Sequence, residues 1–256
     1  MIEPISKRAS GNPFFAEELA RGATVGDLSP ALDATGKLPD TITAVLEQRL
    51  ARITEKCLRM LERAAVLGDA FLFDTICAMA SGGAPVDEEM VLDLIEEALQ
   101  AGMLIEEGRG AHVTFTFWHP LLLAYLYEHL SAARRASLHR RAAQVLQELY
   151  AGRESEGAAE ITRHLIGGGG QPAQIAYFAE LAADRAYRLS AYPSAEKHYR
   201  LTLEYLGELA PDSEQPARLH YAYLYEQLGE CTMIVGKFEE ARAFYEQTLE
   251  LRSKQL

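Results

Sequence analysis

A chain of 256 residues, 48% hydrophobic and 24% charged, is long enough for two domains and has the composition of a globular protein. Its net charge of −12 disfavours nucleic acid as a partner, because binding to a phosphate backbone depends on Lys and Arg. Cys57, Cys77 and Cys231 lie far apart with no C-x-x-C pair, so neither a disulfide framework nor a thiolate metal site is expected. The N-terminus lacks an apolar signal core, and no run approaches the ~18 apolar residues of a membrane span. A cytoplasmic chain with no membrane partner is the expectation.

Residues 10–13, Ser-Gly-Asn-Pro, form a turn cluster ahead of a short amphipathic run with Phe14, Phe15 and Leu19, and 22–37 reads as a linker. Pro39 and Asp40 then precede Ile42, Val45, Leu46, Leu50 and Ile53 at helical spacing, which predicts a helix from Thr41 to Ile53. A second helix, capped by Thr54, carries Leu58, Leu61, Ala65 and Leu67 and stops at Gly68; a third runs from Asp74 to Ala80. The next, 87–100, has an acidic first turn and an apolar set of Val91, Leu92, Leu94, Ile95, Ala98 and Leu99. Residues 103–107 and 113–118 read as two strands of a hairpin. In the second, Val113, Phe115 and Phe117 alternate with Thr114, Thr116 and Trp118, the period of a half-buried strand.

Three helices followed by a two-stranded wing is the order of a winged-helix domain, expected over 38–130. A DNA-binding version would carry Lys and Arg on its reading helix. Helix 87–100 has Asp87, Glu88, Glu89, Asp93, Glu96 and Glu97 and no basic residue, so it would be repelled by a major groove. After Pro120 the pattern is helical to the end. A long helix over 131–149 places Leu138, Ala142, Val145, Leu146 and Leu149 on one side, and Arg134, Arg135, His139, Arg140 and Arg141 form a basic cluster expected to lie on a solvated face.

Two later segments, 183–203 and 229–249, align without gaps. Tyr192 matches Phe238, Ala195 matches Ala241, Tyr199 matches Tyr245, and Thr202-Leu203 matches Thr248-Leu249. In the second copy Leu228, Gly229, Gly236, Phe238, Ala241 and Tyr245 fall at the spacing of a tetratricopeptide (TPR) repeat, which the segment resembles. Gly229 and Ala241 would let two antiparallel helices approach, with Phe238 and Tyr245 filling the groove and the turn at Gly236-Lys237. A polar, Pro-containing insertion from Gly207 to Pro216 accounts for a repeat longer than the usual ~34 residues. A more degenerate pair is expected before it, with one helix over 158–166 and the start of another over 172–182, and further repeats are expected beyond Leu256. If the first helix of each pair lines the inner surface, Tyr177, Glu180, Asp184, Tyr187, Arg188, Tyr223, Glu226, Glu230 and Met233 form a face for a protein or peptide ligand, unless it is an ordinary solvated face.

Catalytic chemistry and metal sites are not expected. No G-x-x-x-x-G-K-[ST] loop, H-E-x-x-H or G-x-S-x-G occurs, and the seven histidines are not at ligand spacing. The Glu pairs are sequence neighbours and do not face one another across a site.

Four segments in this order, residues 10–19, 38–46, 64–68 and 117–122, together with the repeats, resemble the middle of a STAND-type regulatory ATPase, the class that includes large bacterial transcriptional regulators. The resemblance implies the tail of an ATPase module and linker over 1–37, a winged helix over 38–130, a connecting helix over 131–154 and TPR-like repeats over 155–256. It implies a mainly α fold and a non-catalytic regulatory region that acts with an upstream ATPase module in cis, with ATP or ADP bound by that module and no cofactor in this chain. It also implies a nucleotide-sensing role for His119, although His119-Pro120 departs from the family's His-Asp pattern and a cap of the following helix is the competing reading. The alternatives are a DNA-binding winged-helix regulator with a TPR domain and a stand-alone TPR peptide adaptor.

Overall fold

The computed structural model describes residues 46–47, 49–81, 87–108, 113–207 and 215–253. The expected ATPase tail and linker, most of the helix from Thr41, the tip of the hairpin and most of the insertion after Gly207 lie outside the described residues. The chain forms two compact units, one ending at His129 and one running from Leu130.

In the first unit, α1 (Glu55–Leu67) begins at Thr54, whose hydroxyl accepts from the Cys57 amide at 3.2 Å. The same hydroxyl donates to Glu97 at 2.9 Å, so one cap also ties α1 to α3 (Glu88–Gln100). Helix α3 starts at Asp87, whose carboxylate accepts from the Met90 amide. Its buried stripe is Val91, Ile95 and Ala98; Leu92, expected inside, is exposed. Between α1 and α3 lie β1 (Ala70–Leu72) and α2 (Phe73–Ala80); after α3 come β2 (Leu104–Glu107), β3 (Thr114–Phe117) and α4 (Pro120–His129).

The expected hairpin is present, and a third strand joins it. The sheet is antiparallel with order β1-β3-β2, pairing Phe71 with Phe115 and Leu104 with Phe117. Three residues are too short to show a period, so β1 has no signature of its own. It forms because β3 offers an unpaired edge and because the Phe71 ring lies 5.8 Å from Phe115 and 6.3 Å from Phe117.

Phe115 and Phe117 point inward as their alternation predicts. Trp118, expected on the opposite face, is also buried, at 9% exposure. The strand has ended by then: the Trp118 amide donates to the Met103 carbonyl at 3.0 Å, and the Arg49 guanidinium lies 4.3 Å over the indole. Met60, Leu61, Ile76, Ile95, Met103 and Leu122 complete this core.

The second unit is helical where described: α5 (Ala132–Leu149), α6 (Glu154–Gly168), α7 (Pro172–Arg188), α8 (Tyr192–Gly207), α9 (Gln215–Ile234) and α10 (Phe238–Ser253). It is a TPR-like array of helical hairpins. Helix α5 packs with α6 as α7 packs with α8 and α9 with α10. One core joins Ala143 and Leu146 of α5, Ile161 and Leu165 of α6, and Ile175 and Phe178 of α7; another joins Ala186, Tyr199, Leu224 and Leu228.

The repeat is reproduced at the level of the backbone. Ser190 and Gly236, 46 residues apart as Ala195 and Ala241 are, both adopt the left-handed conformation, with φ of 58° and 88°. In the first turn Ser190 N–H donates to Tyr187 and Ala191 N–H to Ala186; in the second Gly236 N–H donates to Met233 and Lys237 N–H to Thr232. This is the double bond of a Schellman end, repeated at equivalent positions. Gly229 allows close approach as expected, since a Cβ there would stand 2.8 Å from the Tyr245 ring.

Two packing expectations are overturned. Phe238 is 69% exposed and does not fill the groove, whereas its counterpart Tyr192 is half-buried against a core that includes Leu224, Leu228 and Cys231 of the following hairpin. In α5, Leu149 is exposed and His139 is buried, because the face that α6 covers runs through Leu138, His139, Ala142 and Val145 and ends before the last turn.

Candidate functional site

The face expected to receive a ligand lies on α7 and α9, and the structure brings four of its nine residues into contact with one another. Asp184 accepts from the Tyr199 hydroxyl at 2.7 Å and from the Tyr223 hydroxyl at 2.9 Å. Tyr187 donates its hydroxyl to Glu230, and Glu180 meets the His220 ring at 2.7 Å. Three polar rungs thus join the first helix of one hairpin to the first helix of the next. Glu226 is drawn to Arg252 of α10. Tyr177, Arg188 and Met233 are exposed, Tyr177 at 55% and Met233 at 47%.

The rungs change the chemistry of their members. Burial and then the hydrogen bond to Asp184 push the Tyr199 phenol well above its ordinary range, and the bond to Glu230 pushes Tyr187 up to about 12. These tyrosines are fixed donors that orient the carboxylates. The face is therefore largely spent on holding α7 against α9.

Next to it, Glu196 of α8 is buried with two cationic partners. Lys237 Nζ sits 2.8 and 3.0 Å from its two oxygens, and Arg200 donates to it at 2.8 Å while also reaching Glu240. Burial alone would raise this carboxyl, but Lys237 and Arg200 outweigh it and hold the pKa below the usual value. Since Lys237 lies in the α9–α10 turn, the ion cluster is a second tie between hairpins.

A third polar cluster was hidden in the Arg-rich helix. His139 Nδ1 lies 2.9 Å from His164 Nδ1, and Arg163 Nη2 lies 2.9 Å from His164 Nε2. Arginine can only donate, so His164 Nε2 is an acceptor, its proton resides on Nδ1, and it donates to His139 Nδ1. The Arg163 charge therefore sets both tautomers, and both rings are neutral. Burial first, then the nearby guanidinium, lowers both pKa values, that of His164 to about 3. Gly167 is required here, because a Cβ would lie 2.8 Å from the His139 ring. The signal for this pair was the helical register of His139 beside Leu138 and Ala142, masked by four neighbouring arginines.

His119 stands between β3 and α4, and its Nδ1 accepts from the Leu121 amide at 3.1 Å. That bond satisfies one of the open N–H groups of the helix start. The neighbouring Trp118 ring lies 5.4 Å away, centroid to centroid.

Among the described residues, no group of three or more His, Cys, Asp or Glu side chains is placed to hold a metal ion, and no helix is long and apolar enough to cross a membrane. The three cysteines are buried free thiols.

No family model and no curated protein matches the chain. Among solved structures, it is similar to a signal transduction ATPase with numerous domains (STAND) carrying a tetratricopeptide repeat sensor, from Pyrococcus horikoshii. Identity is 12% and the TM-score 0.47, over 98% of this chain and 40% of that one. The chain thus spans well under half the length of that protein.

Proposed function

We propose that this chain is the non-catalytic regulatory and protein-interaction region of a STAND-type signalling ATPase. In this reading the first unit is a winged helix that docks on an upstream ATPase module in cis and couples its nucleotide state to the TPR-like array, which receives a protein or peptide. The observation that carries it is the succession, in one chain, of a helix–strand–helix–helix–hairpin module with strand order β1-β3-β2 and helical hairpins that repeat at 46 residues. The four ordered segments named above support the same reading.

ATP and ADP belong to the ATPase module, since this sequence has no phosphate-cradling loop. His119 is the nucleotide-sensing candidate, set by its bond to Leu121 at the junction of β3 and α4. The rival reading, a DNA-binding regulator, is opposed by the exposed Glu88, Glu89, Asp93 and Glu96 of α3. A stand-alone adaptor would bind its partner without any ATPase module. The purified chain should neither turn over ATP nor shift a generic duplex at micromolar protein. Measurable turnover would sink the proposal, and a salt-dependent duplex shift would favour the DNA-binding rival.

A further inference from the structure

The 46-residue repeat pairs each residue of α8 with one of α10, and at four of these pairs the surroundings or the charge differ. Tyr192 and Leu203 are half-buried against a core that holds Leu224, Leu228 and Cys231 of the following hairpin, whereas their counterparts Phe238 and Leu249 are 69% and 67% exposed. Glu196 is buried and held by Lys237 of the following turn; its counterpart is Arg242, which is exposed. Arg200, which donates to Glu196, has Glu246 as its counterpart. The second copy thus keeps the apolar positions and inverts both charges.

These four residues form one stripe. At 3.6 residues per turn, Phe238, Arg242, Glu246 and Leu249 lie within about 80° of arc on α10 and span roughly 16 Å of its length. Arg242 Nε donates to Glu246 at 2.9 Å, with both side chains largely in solvent. An exposed pair of this kind is weak, and with the cation N-terminal to the anion it has the less favourable orientation on a helix. Either member can therefore exchange its partner for an equivalent one at little cost.

The inverted charges decide what fits. A further hairpin with the chemistry of α9 and α10 would bring its turn lysine against Arg242, where Lys237 meets Glu196 in the first copy. The stripe is instead complementary to itself. When two copies of α10 lie antiparallel about a two-fold axis between positions 243 and 244, Phe238 falls opposite Leu249 of the second copy and Arg242 opposite its Glu246. Each contact then occurs twice, and the two helix dipoles oppose one another. Phe238 and Leu249 supply the apolar burial, while Arg242 and Glu246 set the register.

We propose that a second copy of this chain docks on α10, antiparallel to it, through Phe238, Arg242, Glu246 and Leu249. A single helix pair buries less than the ~1,200 Å² at which stable interfaces begin, so the dimer is a weak one, with a Kd of roughly 10–100 µM. Dimerisation through α10 is independent of the STAND reading, which the ATP and duplex assays test separately.

The test is sedimentation velocity of the purified protein from about 1 to 300 µM. Wild type should pass from monomer to dimer over this range and no further, because an isologous contact closes on itself. Arg242→Glu and Glu246→Arg should each weaken association at least about tenfold, since each sets like charges opposite one another across the two-fold axis. An equimolar mixture of these two variants should restore it to within about threefold of wild type, because every exchanged charge then meets its opposite. Phe238→Ser combined with Leu249→Ser should also weaken association at least about tenfold, and since all four positions are exposed, melting curves of the variants should match wild type. Monomer throughout the range overturns the proposal. So does a dimer that the variants leave unchanged, which would lie on another face, and so does a mixture no tighter than its components, which would exclude the antiparallel register. Growth beyond the dimer, as end-to-end stacking of hairpins would give, overturns it as well.

Discussion

Acid should loosen the second unit through His164, and the size of the effect follows from its surroundings. This ring is 0% exposed, receives a hydrogen bond from Arg163 and gives one to His139. Burial, then the charge of Arg163, holds its pKa at about 3 in the folded chain, against roughly 6.5 when unfolded. The folded value is the lower one, so between these limits the unfolded chain binds a proton that the folded chain refuses. The stability contributed by the neutral ring is complete above about pH 6.5 and drains away as the pH falls towards 3. At about 1.4 kcal/mol per pH unit, lowering the pH from 6.5 to 5.0 removes about 2 kcal/mol through His164 alone. His139, lowered by burial, Arg163 and Arg135, acts in the same direction. The assay is thermal unfolding at pH 7.0, 6.0 and 5.0 for wild type and His164→Gln, which keeps hydrogen-bonding capacity without a titrating ring. The melting temperature of wild type should fall relative to the variant by about 4–8 °C across this range, at about 2–4 °C per kcal/mol for a chain of this size. Equal pH slopes in the two proteins would refute the reasoning, as would an NMR titration placing native His164 near 6.5.

Gly229→Ala should destabilise the α9–α10 hairpin. The new Cβ would sit 2.8 Å from the Tyr245 ring, an overpacking cost of about 1–3 kcal/mol that exceeds the gain of about 0.5–1 kcal/mol from alanine in a helix. Chemical denaturation should show a net loss of about 1 kcal/mol, and a second change, Tyr245→Leu, should make Gly229→Ala less costly; a stabilised single variant would contradict the close approach. Ser190→Gly should do the opposite. Ser190 carries a φ of 58° at the position where the second copy has Gly236, and relieving a left-handed side-chain residue should raise stability by up to about 1 kcal/mol, read from the denaturation midpoint.

Much of the repeat unit was legible locally. The turn at Gly236 and the small residues that let helices approach each depend on a residue and its immediate neighbours, as does the inward pair Phe115 and Phe117 in the first unit. Strand β1 was not legible, because three residues carry no period and its pairing is supplied by β3. Nor was the exposure of Phe238: its counterpart Tyr192 packs against a core to which the following hairpin contributes Leu224 and Leu228, and such a neighbour is not encoded in local spacing.

The candidate face shows the division most clearly. Its aromatic and acidic residues were identified by register, which is a property of one helix. That Asp184 is already held by Tyr199 and Tyr223, and Glu230 by Tyr187, depends on residues of three helices brought side by side. The sequence alone determined the hairpin strands, most of the helices and their repeat, because those follow from short-range periodicity and backbone preference. The tertiary structure alone decided which polar groups are spent on each other, as Asp184 is on Tyr199 and Tyr223. Hydrogen-bond partners are settled by distance in space, and nothing in local spacing encodes it.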